Sequence, residues 1–136
     1  MLMGRWTWTS RVVAAGLVGL ICTAFASPAA SPFAGSWAGT YALPDLGGGG
    51  TVELTISESG VLKGRSVNED GTGHTLIGHL KPDGSAVGVA LFDDPGAPTE
   101  FFSGTCSIDQ DGNLLCDLIG CIQNDCFSLL VNVSPQ

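Results

Sequence analysis

Positive charge is scarce in this sequence. Five Lys and Arg residues stand against 13 Asp and Glu residues, and the formal net charge is −8 at pH 7. Two of the five basic residues, Arg5 and Arg11, lie in the first eleven positions. A strongly acidic surface repels the phosphate backbone of DNA and RNA, so we expect no nucleic-acid partner.

A long hydrophobic run is also lacking. The stretch Val12–Ala26 is almost purely apolar or small and carries no charge. It is about 15 residues long, whereas a membrane-spanning helix needs ~20. Arg5 and Arg11 precede this stretch, and small residues end it at Ala26. This arrangement is typical of a signal peptide, and we predict that residues 1–26 are cleaved from the mature protein.

Two other interpretations of the first segment stay open. The segment could remain as an uncleaved anchor, or Cys22 could carry a lipid. Lipidation is disfavoured because Ile21, the preceding residue, is not small. After cleavage we expect no stable membrane anchor, a flexible leader over residues 27–34 and a single domain over residues 35–136.

No cysteine is left over once the signal peptide is removed. The four that remain all lie in the last third of the chain: Cys106, Cys116, Cys121 and Cys126. An even number in an exported chain predicts two disulfides and an oxidising location, either secreted or periplasmic. Zinc binding is the alternative, but the chain has no Cys-x-x-Cys pair, so we predict no metal and no cofactor.

After the signal peptide, the apolar residues do not recur with the period of a helix. Apolar and polar residues instead alternate with a period of two. Apolar and polar residues alternate over 51–56, which predicts a strand with one dry face. Segments 56–64, 80–88 and 108–116 each contain a polar turn that ends in glycine, as in three-residue hairpin loops. We expect residues 47–50 to form a loop. The eight predicted strands are 35–42, 51–57, 61–67, 74–80, 85–92, 101–108, 113–118 and 126–133.

The cysteines fix the register of the last strands. A three-residue turn over 110–112 places Cys106 directly opposite Cys116. Pairing Cys121 with Cys126 then sets apolar residues against each other at every inward step: Leu118 with Leu129, Cys116 with Val131 and Leu114 with Val133. We therefore predict the disulfides Cys106–Cys116 and Cys121–Cys126 rather than either other connectivity.

These strands predict an all-β antiparallel meander. Such a sheet has two unpaired edges, which closure into a small up-and-down β-barrel removes. An open curled sheet or a sandwich is the alternative.

Three segments resemble the avidin and streptavidin family of eight-stranded up-and-down barrels. Phe33–Trp37 is similar to the opening strand of that family, and Gly60–Gly64 is similar to its second hairpin. Phe102–Asn113 resembles a hairpin late in the family's chain. The resemblance implies the same barrel architecture.

The biotin-binding residues of that family are replaced here. Gly39 stands where the family has an asparagine, Leu43 where it has a serine, and Arg65 and Ser66 follow the second hairpin in place of a ligand-binding tyrosine. Trp37 is the one tryptophan of the mature chain, so the later tryptophans of the biotin site are missing too. The resemblance therefore implies the fold without biotin binding.

The inward face of the predicted barrel offers one candidate ligand site. Small residues on the middle strands leave either a cavity or a flattened, packed core. If a cavity forms, Trp37, Tyr41 and Ser66 are the predicted ligand-binding residues, because a ligand site needs a few convergent polar groups on an apolar wall.

The outward face carries a second candidate, which we call the outer patch. Its residues are Ile77, Val87, Val89, Leu91 and Phe101. Contiguous exposed apolar surface marks interaction sites, so we predict an interface here, including contact between copies of this chain in a homo-oligomer. The alternative is a one-residue register shift that buries the patch and exposes Leu76 and Leu80.

Catalytic residues do not converge in the predicted fold. His74 and His79 lie five apart on one strand and point to opposite faces. We therefore predict a non-enzymatic, exported binding or interaction module with an unknown protein partner. The alternatives are a carrier of a small apolar ligand in the barrel, or an inhibitor of a secreted enzyme that acts through a loop such as Asp93–Glu100.

Overall fold

The computed structural model describes residues 29–136. The predicted signal peptide, residues 1–26, and the start of the leader lie outside the described residues. Eight strands follow one another along the chain: β1 (Gly35–Leu43), β2 (Gly48–Ile56), β3 (Val61–Asn68), β4 (Gly73–Leu80), β5 (Ser85–Phe92), β6 (Glu100–Ile108), β7 (Leu114–Ile122) and β8 (Asp125–Pro135). Residues 29–136 contain no helix that could cross a membrane.

The strands form a closed antiparallel barrel. Each strand pairs with the next, and β1 also pairs with β8, so no edge is left. The predicted up-and-down barrel is confirmed, and the open sheet and the sandwich are excluded. Gly60, Gly84 and Gly112 have φ values of 88°, 95° and 84° in the β2–β3, β4–β5 and β6–β7 turns, as three-residue hairpin loops require.

The register around the cysteines is the predicted one. Cys106 lies opposite Cys116, and Cys121 lies opposite Cys126. Both pairs form disulfides, with S–S distances of 2.05 and 2.07 Å. The first disulfide faces the barrel interior and the second faces outward, because the two pairs stand at positions of opposite parity on β7.

The glycine run was predicted to be a loop, and that prediction is wrong for three of its four residues. Gly48, Gly49 and Gly50 begin β2 and pair with β1. A Cβ atom added at Gly49 would lie 2.4 Å from the carbonyl oxygen of Tyr41, and one added at Gly50 would lie 2.0 Å from that of Val67. Glycine is needed here because neighbouring backbones approach this closely.

One end of the barrel, which we call the closed end, is filled with side chains. The Phe33 side chain is 6% exposed, and its carbonyl oxygen accepts a 3.0 Å hydrogen bond from Trp37 Nε1. The Ser31 amide donates to the carbonyl of Glu58, and Leu114 is fully buried. Residues 31–34 were predicted to belong to the leader, but they pack as a plug because Phe33 and Trp37 cover the core.

The ring of Phe102 packs over the small residues of the middle strands. Phe102 on β6 lies opposite Gly88 on β5. A Cβ atom added at Gly88 would lie 2.4 Å from Phe102 Cζ, and one at Gly78 would lie 3.3 Å from it. The small residues of the middle strands therefore make room for Phe102.

Candidate functional site

A cavity of about 280 Å³ lies inside the barrel, lined from Tyr41 and Glu100 near the open end to the inner disulfide Cys106–Cys116 deeper in. It lies towards the open end, where the loops 44–47, 69–72, 93–99 and 123–124 join the strands. Its volume exceeds the ~150 Å³ of a cavity that binds benzene. It falls just below the ~300–1,000 Å³ range of common ligand pockets. The space suits a small organic molecule of two or three rings.

The wall of the cavity is mainly apolar. Leucine and valine side chains from six strands line it, together with the inner disulfide Cys106–Cys116 and the rings of Phe92, Phe102 and Phe127. Its aliphatic lining includes Leu54, Leu62, Leu76, Leu118, Leu129 and Val131. Such a wall binds apolar surface by removing it from water.

Tyr41 and Asn68 form a polar pair near the mouth. The Tyr41 hydroxyl donates a hydrogen bond to Asn68 Oδ1. Burial raises the pKa of Tyr41 to about 12, and the negative charges of Glu100, Asp70 and Glu69 add to the effect. The phenol therefore stays protonated at neutral pH, and its hydroxyl oxygen can still accept a hydrogen bond from a ligand.

Ser66 and His74 form a second polar pair, across β3 and β4. Ser66 Oγ lies 3.1 Å from His74 Nδ1, and both residues are buried. Burial lowers the pKa of His74, so the imidazole is neutral at pH 7. The ring of Phe92 packs edge-on against it at a centroid distance of 4.3 Å.

This pair lacks the third member that a hydrolytic triad needs. A triad base is oriented by a carboxylate on its second nitrogen. Among residues 29–136, His74 has a single side-chain hydrogen bond, the one to Ser66. Ser66 and His74 both line the cavity, where they can offer hydrogen-bonding groups to a ligand.

Glu100 is the third polar feature of the cavity. It is the first residue of β6 and has the same parity as the inward-facing Phe102. Its carboxylate folds over the inner surface of Gly120, where an added Cβ atom would lie 2.7 Å from Oε1. Burial raises the pKa of Glu100, and among residues 29–136 no hydrogen bond or cation offsets that effect.

An ion pair fixes the rim next to these groups. Arg65 donates two hydrogen bonds to the Asp93 carboxylate, of 2.9 and 2.5 Å, and holds the pKa of Asp93 below its usual range. The Asp93 amide also donates to the Gly73 carbonyl at 3.0 Å. The base of the loop that was predicted as an inhibitory element is thus tied to β3 and β4.

The structure places the three predicted ligand-binding residues at two different levels. Tyr41 and Ser66 line the cavity. Trp37 does not line it and lies in the closed end, where its indole bonds to Phe33. Asn68 and Glu100 line the cavity but were missed, because the predicted strands ended one residue short of each. Lengthening each predicted strand by that one residue, with the same alternation of faces, would have placed both side chains inside the barrel.

Four of the five residues of the outer patch are exposed, and Val89 is half-buried. Ile77 pairs with Val89, which pairs with Phe101 on β6. Val87 is 55% exposed and Phe101 61% exposed. Leu80 is fully buried, so the alternative register is excluded.

Comparisons with protein-family models, with curated proteins and with solved structures find no match for this chain. The resemblance to the avidin and streptavidin family therefore stays a prediction from the sequence.

Proposed function

We propose that this chain is an exported, non-enzymatic protein that binds a small, largely apolar molecule in its barrel cavity. The observation that carries the proposal is the cavity itself, with about 280 Å³ of space behind an apolar wall and polar groups gathered near the mouth. A site of this composition binds by apolar burial and orients the ligand through a few polar contacts.

The closed end supports a binding role. Phe33, Trp37 and Leu114 fill it, so a ligand enters and leaves through the open end alone. A rigid barrel with one entrance needs little rearrangement to accept a ligand, which keeps the entropic cost of binding low. The two disulfides are compatible with an extracellular or periplasmic location, where such a carrier would work.

Titration with the neutral fluorescent probe N-phenyl-1-naphthylamine tests the proposal. The matched variants are Leu118→Trp and Ile119→Trp, adjacent residues on β7 that face the cavity and the solvent respectively. We expect the wild type and Ile119→Trp to bind the probe with similar affinity. Leu118→Trp should bind at least tenfold more weakly, because its indole would occupy the cavity.

Near-UV circular dichroism of each variant checks that the barrel is intact. If Leu118→Trp does not fold, Leu62→Phe provides a smaller addition to the same wall and should weaken binding to a lesser extent. Failure of the wild type to bind the probe, or unchanged binding by a folded Leu118→Trp variant, would contradict the proposal.

The outer patch supports a second function, self-association of the barrel. Four of its five residues are at least 40% exposed: Ile77, Val87, Leu91 and Phe101. Contiguous exposed apolar surface of this kind marks interaction sites and can pack against a second copy. We expect the wild type to sediment as a dimer at micromolar concentration and Val87→Glu to sediment as a monomer. Thr55→Glu, on the exposed face of β2, is the control, and a monomeric wild type would refute this second proposal.

A further inference from the structure

An ionisable group inside an apolar cavity restricts what the cavity can bind. Glu100 projects into the mouth between Ala90 on β5 and Ile122 on β7, its two cross-strand neighbours. Neither neighbour offers a hydrogen bond or a positive charge from its side chain. The carboxylate is therefore partly desolvated, and it has no cationic partner within the described part of the chain, residues 29–136.

The rim around Glu100 is also negative. Arg65 is the one Lys or Arg residue at the open end among residues 29–136, and Asp93 neutralises it. Lys63 and Lys81 lie towards the closed end, near the start of β3 and in the β4–β5 turn. Five further acidic residues stand in or beside the loops of the open end: Asp45, Glu69, Asp70, Asp94 and Asp125.

Such a distribution of charge selects by the sign of the ligand. An acidic rim around a low-dielectric cleft concentrates cations and repels anions. A carboxylate or phosphate group entering the mouth would meet Glu100 at close range, and a wholly apolar ligand would leave its carboxylate further desolvated. An ammonium group would instead satisfy it with a charge-assisted hydrogen bond.

We infer that the cavity binds a small amphiphilic amine, with its apolar body among the leucine side chains and its ammonium group against Glu100 at the mouth. The inference rests on the proposed ligand-binding function and specifies the class of ligand. The ammonium group has three donors, so one or two go to the Glu100 carboxylate and the others face the Tyr41 hydroxyl oxygen or water.

The experiment uses three probes that share one apolar body and differ in their polar end. These are 2-(1-naphthyl)ethylamine, 2-(1-naphthyl)ethanol and 1-naphthaleneacetate, titrated by calorimetry into the disulfide-bonded wild type at neutral pH. We expect the amine to bind about tenfold more tightly than the alcohol, and the acetate to bind most weakly of the three.

Two variants separate the Glu100 contact from the general charge of the rim. Glu100→Gln keeps the shape of the side chain and removes its charge, so the amine should lose about tenfold in affinity while the alcohol changes by less than twofold. Asp94→Asn is the control. It removes one exposed rim charge and keeps the oxygen that accepts the 3.0 Å hydrogen bond from the Gly96 amide. It should change the affinity for the amine by less than twofold.

The outcomes distinguish this inference from the proposed function. Equal affinities for the amine and the alcohol, tighter binding of the acetate, or an equal loss for both ligands in Glu100→Gln would overturn the inference. So would binding of N-phenyl-1-naphthylamine without any binding of the naphthyl amine. If neither that neutral probe nor any naphthyl ligand binds, cavity binding itself fails and the inference fails with it.

Discussion

The two ends of the barrel are built from the same eight strands but differ in what fills them. At the closed end, Phe33 and Trp37 are each 6% exposed, and Leu80, Leu114 and Val133 are fully buried. At the open end, the inward positions carry Tyr41, Ser66, Asn68, His74 and Glu100 around unfilled space. One end resembles the core of a small domain, and the other resembles a binding site.

This difference shows how a uniform strand pattern can divide stability and function between two ends. Large apolar side chains at the inward positions of one end bury enough surface to stabilise the barrel. Polar and smaller side chains at the inward positions of the other end leave an unfilled cavity. The filled end therefore has to supply most of the stability of the barrel. Substitutions at the closed end should therefore cost more stability than substitutions at the open end.

The largest expected effect is on the free energy of unfolding after truncation of a leucine. Leu114→Ala, at the closed end, should destabilise the protein by about 2–5 kcal/mol, because it creates a new cavity in a filled core. Leu129→Ala, which enlarges space that already exists, should cost about half as much. Urea denaturation measures both, and equal losses would show that the two ends are packed alike.

Removal of each disulfide gives the next largest effect. Cys106–Cys116 lies in the closed half and spans 10 residues, whereas Cys121–Cys126 lies at the open end and spans 5. Replacing each pair by alanines should cost ~3 and ~2 kcal/mol respectively, since the longer loop gains more from closure. The first replacement also removes buried sulfur atoms. A larger loss from the second pair would contradict this ranking.

The smallest expected effect concerns protonation at the open end. The chain has one tyrosine, so ultraviolet absorbance reports Tyr41 alone. The phenol should titrate at a pKa of about 12, against 10 for the unfolded chain. Because the folded pKa is the higher one, this group's contribution to stability is present below pH 10 and is lost as the pH rises towards 12.

Glu100→Gln sharpens that measurement. Removing the neighbouring negative charge should lower the pKa of Tyr41, since the Glu100 charge is the second largest cause of its rise. Asp117→Asn, on the exposed face of β7, should leave it unchanged. A wild-type midpoint near 10 would mean that the Tyr41 phenol is hydrated.

The sequence was sufficient for the barrel and its register because two independent patterns agreed. Alternation along 51–56 and the glycine-ended turns defined strands. The opposition of Cys106 and Cys116 then set which residues face inward. Both patterns depend on the alternation of side chains between the two faces of a strand, which its backbone geometry enforces.

The candidate site was harder to predict because it depends on where pairing stops. Asn68 and Glu100 are strand ends that lie one residue outside the predicted strands 61–67 and 101–108. Trp37 is predicted as a ligand-site residue because strand alternation points its side chain inward. Alternation does not show how far along the barrel axis a residue lies. Phe33 lies in the predicted leader, residues 27–34. Its carbonyl oxygen accepts the hydrogen bond from the Trp37 indole that holds Trp37 in the closed end.

The inner disulfide gives the barrel a chemical reporter of occupancy. Cys106 and Cys116 line the cavity, so a small thiol reductant approaches their sulfur atoms through the same mouth as a ligand. Thiol–disulfide exchange requires this access. A bound ligand would therefore slow reduction of Cys106–Cys116. Reduction of the outward-facing Cys121–Cys126 would keep its rate and serve as an internal reference. The ratio of the two reduction rates would read out ligand binding without any label.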